Sequence, residues 1–398
     1  MHNSEKCFLI ITDRYFSNES GAVVTRSLID VITSLSYKTY VFSCDIEQEN
    51  NLGSVVELPA KPITGWMNIF PCSYRLSIRK VLLQNEKISH VLFVGSITNK
   101  PLVYIEEVLR AKKITTVFIF MQDFFCPKFY ANDKDGPCIK CLEKCQWYAL
   151  RSDCGVKKGG YVRLFRDVLV RKRLKKLLKR VNYVGTSTAT QLEYYRKFGI
   201  PEATLFKLPL PFNGDKMFGL DPTRGDYFIG IAQNRIEKGF QFISDILQYT
   251  HSRVILAFYN DDEINSFREH CNVDEFIENG FLSLVSSSWG NDLGRMIAGS
   301  QGVLIPSIWP TTTEYGLLEA LALGKPIIAF DIAAHSEFIK NGVHGFLCPL
   351  GDFYGFGHNI DVVAELSELD YNEMSNNDIA LYKDLSSLNG WRRFIKSI

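Results

Sequence analysis

Three groups of residues in this chain have the types and spacing for chemistry. Glu319 is the first: it lies in the helix-like segment YGLLEALAL, whose Leu317, Leu318, Leu321 and Ala322 share one apolar face. A carboxylate in such surroundings is costly without a partner, so it is either a satisfied structural group or one reserved for a ligand. The segment belongs to a longer stretch, 304–331, LIPSIWPTTTEYGLLEALALGKPIIAFD. There a short apolar run breaks at Pro306-Ser307, and a polar loop, 309–313, leads into the helix. The second group is Arg235 and Lys238, between the strand-like YFIGI and a helix expected near Gly239. Two cations beside the free N–H groups of a helix start can hold a diphosphate. The third is Cys138, Cys141, Cys145 and Cys154, spaced C-x2-C-x3-C-x8-C. Four thiolates in one short segment suffice for a tetrahedral zinc site, and reduced thiols packed against the domain are the alternative.

The elements that must position these groups follow a repeating pattern. Gly324 stands where a helix C-cap glycine belongs, with Pro326 just beyond it, and PIIAF reads as the next strand. Strand, loop, helix and strand form the unit of a parallel α/β sheet, whose ligands gather where strands end and helices begin. The same unit opens the chain. CFLIIT (7–12) reads as a strand, a polar loop reaches Gly21, a helix covers 22–35, and TYVFS (39–43) is the second strand. Gly21 lies where backbone can approach a ligand. HVLFV (90–94) and TTVFIF (115–120) bracket a helix over 101–112, VNYVGTS (181–187) closes the first half, and 208–226 is rich in Pro and Gly. RVILAFY (253–259) and FLSLVS (281–286) continue the second half.

Composition sets the bounds. A chain of 398 residues suits two domains of about 200 each. A net charge of +1 excludes a global commitment to nucleic acid. No run reaches the roughly 18 apolar residues that span a bilayer, and the N-terminal apolar run is too short for a signal peptide, so we expect a cytoplasmic protein. Its ten cysteines are then thiols or metal ligands rather than disulfides. One local exception to the charge balance stands out. Between Arg163 and Arg180 nine basic residues face a single acid, Asp167, while Leu164, Val168, Leu174, Leu177, Leu178 and Val181 form an apolar stripe at helical spacing. Such a run is either a solvated face or a surface for anionic lipid or an acceptor's diphosphate.

The stretch 304–331 resembles the donor-binding region of the retaining GT-B glycosyltransferases of family 4, which use nucleotide sugars. Pro306-Ser307, the run Gly316 to Ala320, Gly324-Lys325-Pro326 and Asp331 fit that family's pattern, and GVHGFLCPLGD resembles its closing segment. The resemblance implies that Glu319 binds the nucleotide ribose. Thr311 occupies the place of the family's first Glu, and Glu314 lies out of register with it. Thr311, Thr312, Thr313, Glu314, Tyr315, Gly316 and Leu317 would line the donor pocket, with Gly21 facing it from the other domain. Lys238-Gly239 matches the family's diphosphate loop, in which Arg235 would substitute for an Arg that here is Gln233. Gln122 and Asp123 stand where relatives carry His-Asp near the sugars, so they are expected on the acceptor side.

From this we expect an α/β protein of GT-B class, two Rossmann-like domains facing each other across a cleft. The first would cover 1–208 with a Cys-rich insertion at 126–154, 209–226 would link, and 227–358 would hold the donor. The tail 359–398 would cross back to the first domain, anchored by Trp391 and Phe394. The implied activity is retaining transfer from a nucleotide sugar to a lipid-linked saccharide in cell-surface polysaccharide assembly. Arg235, Lys238 and Glu319 would be its working residues. Catalysis of this kind needs no cofactor, a structural zinc is the only metal expected, and 163–180 would meet an anionic membrane surface. A GT-B epimerase or hydrolase, or a non-catalytic binding subunit, stays open beside it.

Overall fold

The computed structural model describes the chain except residues 1–5, 14, 16–19, 44–54, 59–67, 97–99, 112–113, 121, 129, 134–135, 153, 155–159, 213–219, 288–290 and 311. It divides into two compact units. The first comprises Met1–Ala131, Cys138–Phe212 and Leu388–Ile398; the second comprises Asn132–Pro137 and Asn213–Ser387.

A seven-stranded parallel sheet centres the first unit. Its strands are β1 (Cys7–Thr12), β2 (Lys38–Ser43), β3 (Val55–Leu58), β4 (His90–Gly95), β5 (Thr115–Phe120), β8 (Tyr183–Thr186) and β9 (Leu205–Lys207). They run in the order β3-β2-β1-β4-β5-β8-β9, and an antiparallel hairpin of β6 (Asn132–Asp133) and β7 (Gly136–Pro137) interrupts the sequence after β5. β1 is buried along its whole length, Leu9 pairing in register with Tyr40 on one side and Val91 on the other. A continuous apolar run rather than an alternating one is what a parallel strand covered on both faces requires. Helices Cys72–Gln84, Leu102–Arg110 and Gly160–Leu178 make the crossovers into β4, β5 and β8. Successive right-handed crossovers in one direction place them side by side on one face. Charge stitches this layer together: Glu107, buried on the middle helix, receives Arg75 at 3.0 Å and Arg79 at 2.6 Å. Its neighbour Glu106 accepts from Arg173 Nε at 2.6 Å.

The second unit holds a six-stranded parallel sheet, order β12-β11-β10-β13-β14-β15. Its strands are β10 (Tyr227–Ile231), β11 (Arg253–Phe258), β12 (Leu282–Ser286), β13 (Gly302–Ile305), β14 (Ile327–Phe330) and β15 (Gly345–Cys348). Helix Tyr315–Ala322 joins β13 to β14, and helix Glu368–Leu385 packs against it. The chain then returns to the first unit. In the closing helix Asn389–Ser397, Trp391 Nε1 donates to the Pro209 carbonyl at 2.7 Å, and the Phe394 ring stacks on Phe206 at 4.2 Å. Of the segment read as a linker, 213–219 lie outside the described residues. No helix among the described residues is long and apolar enough to cross a membrane.

Candidate active site

In the second unit the strand order reverses between β10 and β13, and the loops leaving the C-terminal ends of these two strands build the site. This is the topological switch point at which open parallel sheets take their ligands. The loop after β10 carries a single 3-10 turn, Ile236–Lys238, and ends in Gly239 at φ +76. A Cβ on Gly239 would lie 1.7 Å from the Pro306 carbonyl oxygen, so only glycine lets the two loops meet there. Hydrogen bonds then latch them. The Glu237 carbonyl accepts from Ser307 Oγ at 3.0 Å and from the Ile308 N–H at 3.1 Å.

Lys238 is fixed as a result. Its Nζ lies 2.9 Å from Glu314 Oε2 and 5.9 Å from the centroid of the Trp309 ring. Glu314 holds the N-cap position of helix Tyr315–Ala322, yet its side chain makes no cap hydrogen bond, having turned to the lysine instead. The Glu314 side chain thus leaves the N–H groups of that helix's first turn uncapped, an arrangement that suits an anion. Glu319 lies one turn further along, buried, and its Oε2 has no hydrogen-bond partner among the described residues.

The two carboxylates end on opposite sides of their ordinary value. Burial pushes the Glu319 carboxyl up to about 7, against a smaller opposing pull from the Lys238 charge. Burial also works to raise Glu314, but Lys238, His335 and the Ser307 hydroxyl together outweigh it and hold this carboxyl below its ordinary value. His335 is itself pushed down by burial, its Nδ1 against the Phe330 carbonyl at 2.9 Å. The site thus holds an ionised Glu314 against Lys238 and a second acid, Glu319, poised near neutrality. An incoming diphosphate has a lysine and a helix N-terminus to meet, and a hydroxyl has an idle carboxylate oxygen.

Of the other residues singled out in the sequence, Thr312 and Thr313 are buried beside Glu314, Thr313 Oγ1 donating to the Thr312 carbonyl at 2.6 Å. Thr311 lies outside the described residues. Tyr315 and Gly316 are half-buried, whereas Leu317 is wholly buried, so only its backbone can face a ligand. Arg235 does not join Lys238 at Glu314. Its guanidinium pairs with Glu237, with 42% of the side chain exposed.

In the first unit Gly21 lies in the opening turn of helix Ser20–Ser34, with nothing within 4 Å of where a Cβ would stand. Gln122 and Asp123 form a 3-10 turn after β5; the Gln122 side chain is outside the described part. Asp123 is fully buried and accepts from Ser96 Oγ at 2.7 Å. Lys100, also buried, donates to the Ser96 carbonyl at 2.8 Å and to Asp13 Oδ1 at 3.0 Å. Asp13 and Ser96 follow β1 and β4, the strands between which this sheet's order reverses. Sequence reasoning passed over Asp13, Ser96 and Lys100. For Asp13 and Ser96 the available signal was their place at the ends of the apolar strands, one residue beyond Thr12 and Gly95; Lys100 carried no such signal.

Three of the four cysteines, Cys138, Cys141 and Cys154, are close enough to act on one another's charge, and Cys145 stands apart. Cys141, on the short helix Lys140–Glu143, is buried, while Cys145 is exposed in the following turn at φ 102. Cys138 and Cys154 are half-buried. Burial pushes the Cys141 thiol up to about 12, and its sulfur neighbours are Cys126, Cys154 and Cys138 rather than Cys145. No group of three or more His, Cys, Asp or Glu among the described residues has the geometry to hold a metal ion. The basic run also needs one correction: Arg171 is not on a solvated face. It is buried to 1% exposure and donates to the carbonyls of Cys126 at 2.8 Å and Asp167 at 3.0 Å.

The fold is the GT-B fold of solved glycosyltransferase structures. Sucrose-phosphate synthase of Thermosynechococcus elongatus superposes with a TM-score of 0.73 at 12% identity, over 98% of each chain. Anabaena HepE in complex with UDP-glucose gives 0.66 at 13% identity, again over 98% of each chain. WaaG, a glycosyltransferase involved in lipopolysaccharide biosynthesis, gives 0.63 at 13%, over 98% of this chain and 99% of its own. Residues 228–365, which contain the whole Lys238–Glu314–Glu319 site, match the profile of the glycosyl transferases group 1. No curated protein matches the chain by sequence.

Proposed function

We propose that this protein is a retaining, family 4-like glycosyltransferase that moves a sugar from a nucleotide-sugar donor to a lipid-linked saccharide in cell-surface polysaccharide assembly. The observation that carries the reading is the buried Glu319 with one idle oxygen, a turn away from the Lys238–Glu314 pair and an uncapped helix N-terminus. The profile match over the same residues supports it, as do the UDP and UDP-glucose held by the HepE structures. In this reading Glu319 accepts two ribose hydroxyls. The diphosphate takes Lys238 from Glu314, and the lysine's charge then gains value as negative charge develops on the leaving group. Backbone N–H groups of residues 315–317 add to the same end, with Thr311, Thr312 and Thr313 around the sugar. The donor phosphate serves to deprotonate the acceptor, so no protein nucleophile is required. Arg235, half exposed, would swing from Glu237 to reach the phosphates. Gly21, Gln122 and Asp123 stay assigned to the ligand-facing side of the first unit. Incubation with a panel of nucleotide sugars, with and without saccharide acceptors, tests the reading through nucleotide release. Release only with an acceptor is the expected result. Release without one identifies a hydrolase or epimerase, and binding without release identifies a non-catalytic subunit.

A further inference from the structure

Helix Gly160–Leu178 is amphipathic twice over. Leu164, Val168, Leu174 and Leu178 turn inward and are buried. A surface helix needs one such stripe and is polar on its other side. Here the other side carries a second apolar set, Tyr161, Val162, Phe165 and Leu169, all exposed, with Val162 at 83%. Tyr161, Phe165 and Leu169 follow one another at a spacing of four, and the same stripe continues as Lys172 and Lys176. The outward face is therefore apolar along its first half and cationic along its second. Trp147, half-buried, lies beside it, its ring 5.8 Å from that of Phe165 and 4.0 Å below the Lys172 ammonium. Across the intervening Leu102–Arg110 helix, the Cys72–Gln84 helix exposes Leu76, Lys80 and Leu83, again on one stripe.

We propose that this face docks on the headgroup region of an anionic lipid bilayer, Tyr161, Val162, Phe165 and Leu169 entering the interface while Lys172 and Lys176 meet lipid phosphates. Charge decides the occupant. Only one of the nine basic residues between Arg163 and Arg180, Arg171, is buried, and the sole acid there, Asp167, is already paired with Arg166. Protein interfaces are depleted of lysine at their centres, whereas apolar side chains beside a cluster of cations are the pattern of an interfacial helix. Tryptophan and tyrosine at its margin fit the same boundary. The inference rests on the proposed lipid-linked acceptor only for its purpose, because docking is measured without turnover.

The test is co-sedimentation of the full chain with vesicles of phosphatidylcholine alone and of phosphatidylcholine mixed with phosphatidylglycerol. Binding to the mixed vesicles only, weakening with salt, is expected. Lys172→Gln with Lys176→Gln should lower partitioning roughly thirtyfold, about fivefold for each cation near the surface. Phe165→Ser with Leu169→Ser should lower it tenfold or more and remove the blue shift of Trp147 emission, read against a Trp147→Phe blank. Should that serine pair lower the melting temperature, Val162→Asp is the substitute, since that side chain touches little. No binding to mixed vesicles, or binding indifferent to both sets of substitutions, overturns the proposal. Self-association lost in Val162→Asp assigns the face to a second copy of the chain and overturns it too. Vesicle binding without nucleotide release would sink glycosyl transfer and leave docking intact, and the converse would sink docking alone.

Discussion

Glu319 is buried at a cost, and that cost has a sign that can be measured. Its folded-state carboxyl titrates near 7 instead of the ordinary 4.5. As pH rises through the unfolded value, the unfolded chain releases its proton first, so folding stability falls between about 4.5 and about 7 and levels off above. Glu319→Gln removes the penalty. We expect the variant to match the parent near pH 4.5 and to exceed it at pH 8 by up to about 3 kcal/mol in urea denaturation. Donor binding should weaken tenfold or more, because each charge-assisted bond to ribose is worth roughly 1.5–3 kcal/mol. Gain of stability with loss of affinity marks a binding residue; loss of both would make Glu319 a structural acid. The Lys238–Glu314 pair gives a second contrast. Lys238→Ala leaves a buried carboxylate unpaired and should cost up to about 3 kcal/mol, at the low end for a buried pair because the lysine keeps some solvent. Adding Glu314→Gln should restore most of that stability but none of the turnover. If the double variant stays as unstable as the single one, the pair is not what holds these loops.

At the scale of elements, the site depends on two loops pressed together at Gly239. Gly239→Ala would drive a methyl into the Pro306 carbonyl and demand an unfavourable φ as well. The loops must part, carrying Lys238 away from Glu314. We expect turnover to fall by at least tenfold with donor affinity reduced less, since the ribose contact proposed for Glu319 lies on the helix and not on the loop. Kinetics that match the parent would show the latch to be dispensable. The neighbouring helix illustrates how much of such a unit can be read in advance. Gly324 does end it, at φ +59, with the Lys325 N–H reaching back to the Ala320 carbonyl at 2.9 Å. Glu319's place on its apolar face was equally plain in the sequence. Glu314 was not: counting in register assigned the donor-sugar position to Thr311, while the fold turned Glu314 onto Lys238, 76 positions away in the sequence.

The molecule as a whole is closed by its tail. Leu388–Ile398 completes the first unit although most of that unit precedes residue 213. Trp391, at 3% exposure, contributes both its ring and its hydrogen bond to Pro209. Trp391→Ala should destabilise the first unit by about 3–5 kcal/mol, the usual cost of deleting a large buried ring. Calorimetry should show one transition shifting while stabilisation of the second unit by a nucleotide sugar persists. A single transition shifting as one would refute independent melting of the units.

What the sequence determined by itself is what repeats at short range. Apolar runs of strand length, helical periodicity and capping glycines fixed two parallel-sheet halves, because each depends on neighbours within a few residues. The order of residues in 304–331 likewise carried the resemblance that points to a donor site. Tertiary structure decided what depends on direction in space. Cys141 and Cys145 are four positions apart, yet one faces the core and the other solvent. Arg171 reads as one more surface cation until the fold buries it under Cys126. The stripe of Leu164, Val168, Leu174, Leu177 and Leu178 was legible at helical spacing and is buried, whereas the exposure of Tyr161, Val162, Phe165 and Leu169 on the other side was not. Burial, and with it the titration of Glu319 and Glu314, comes from the contacts of the closed fold, and spacing along a chain does not contain it.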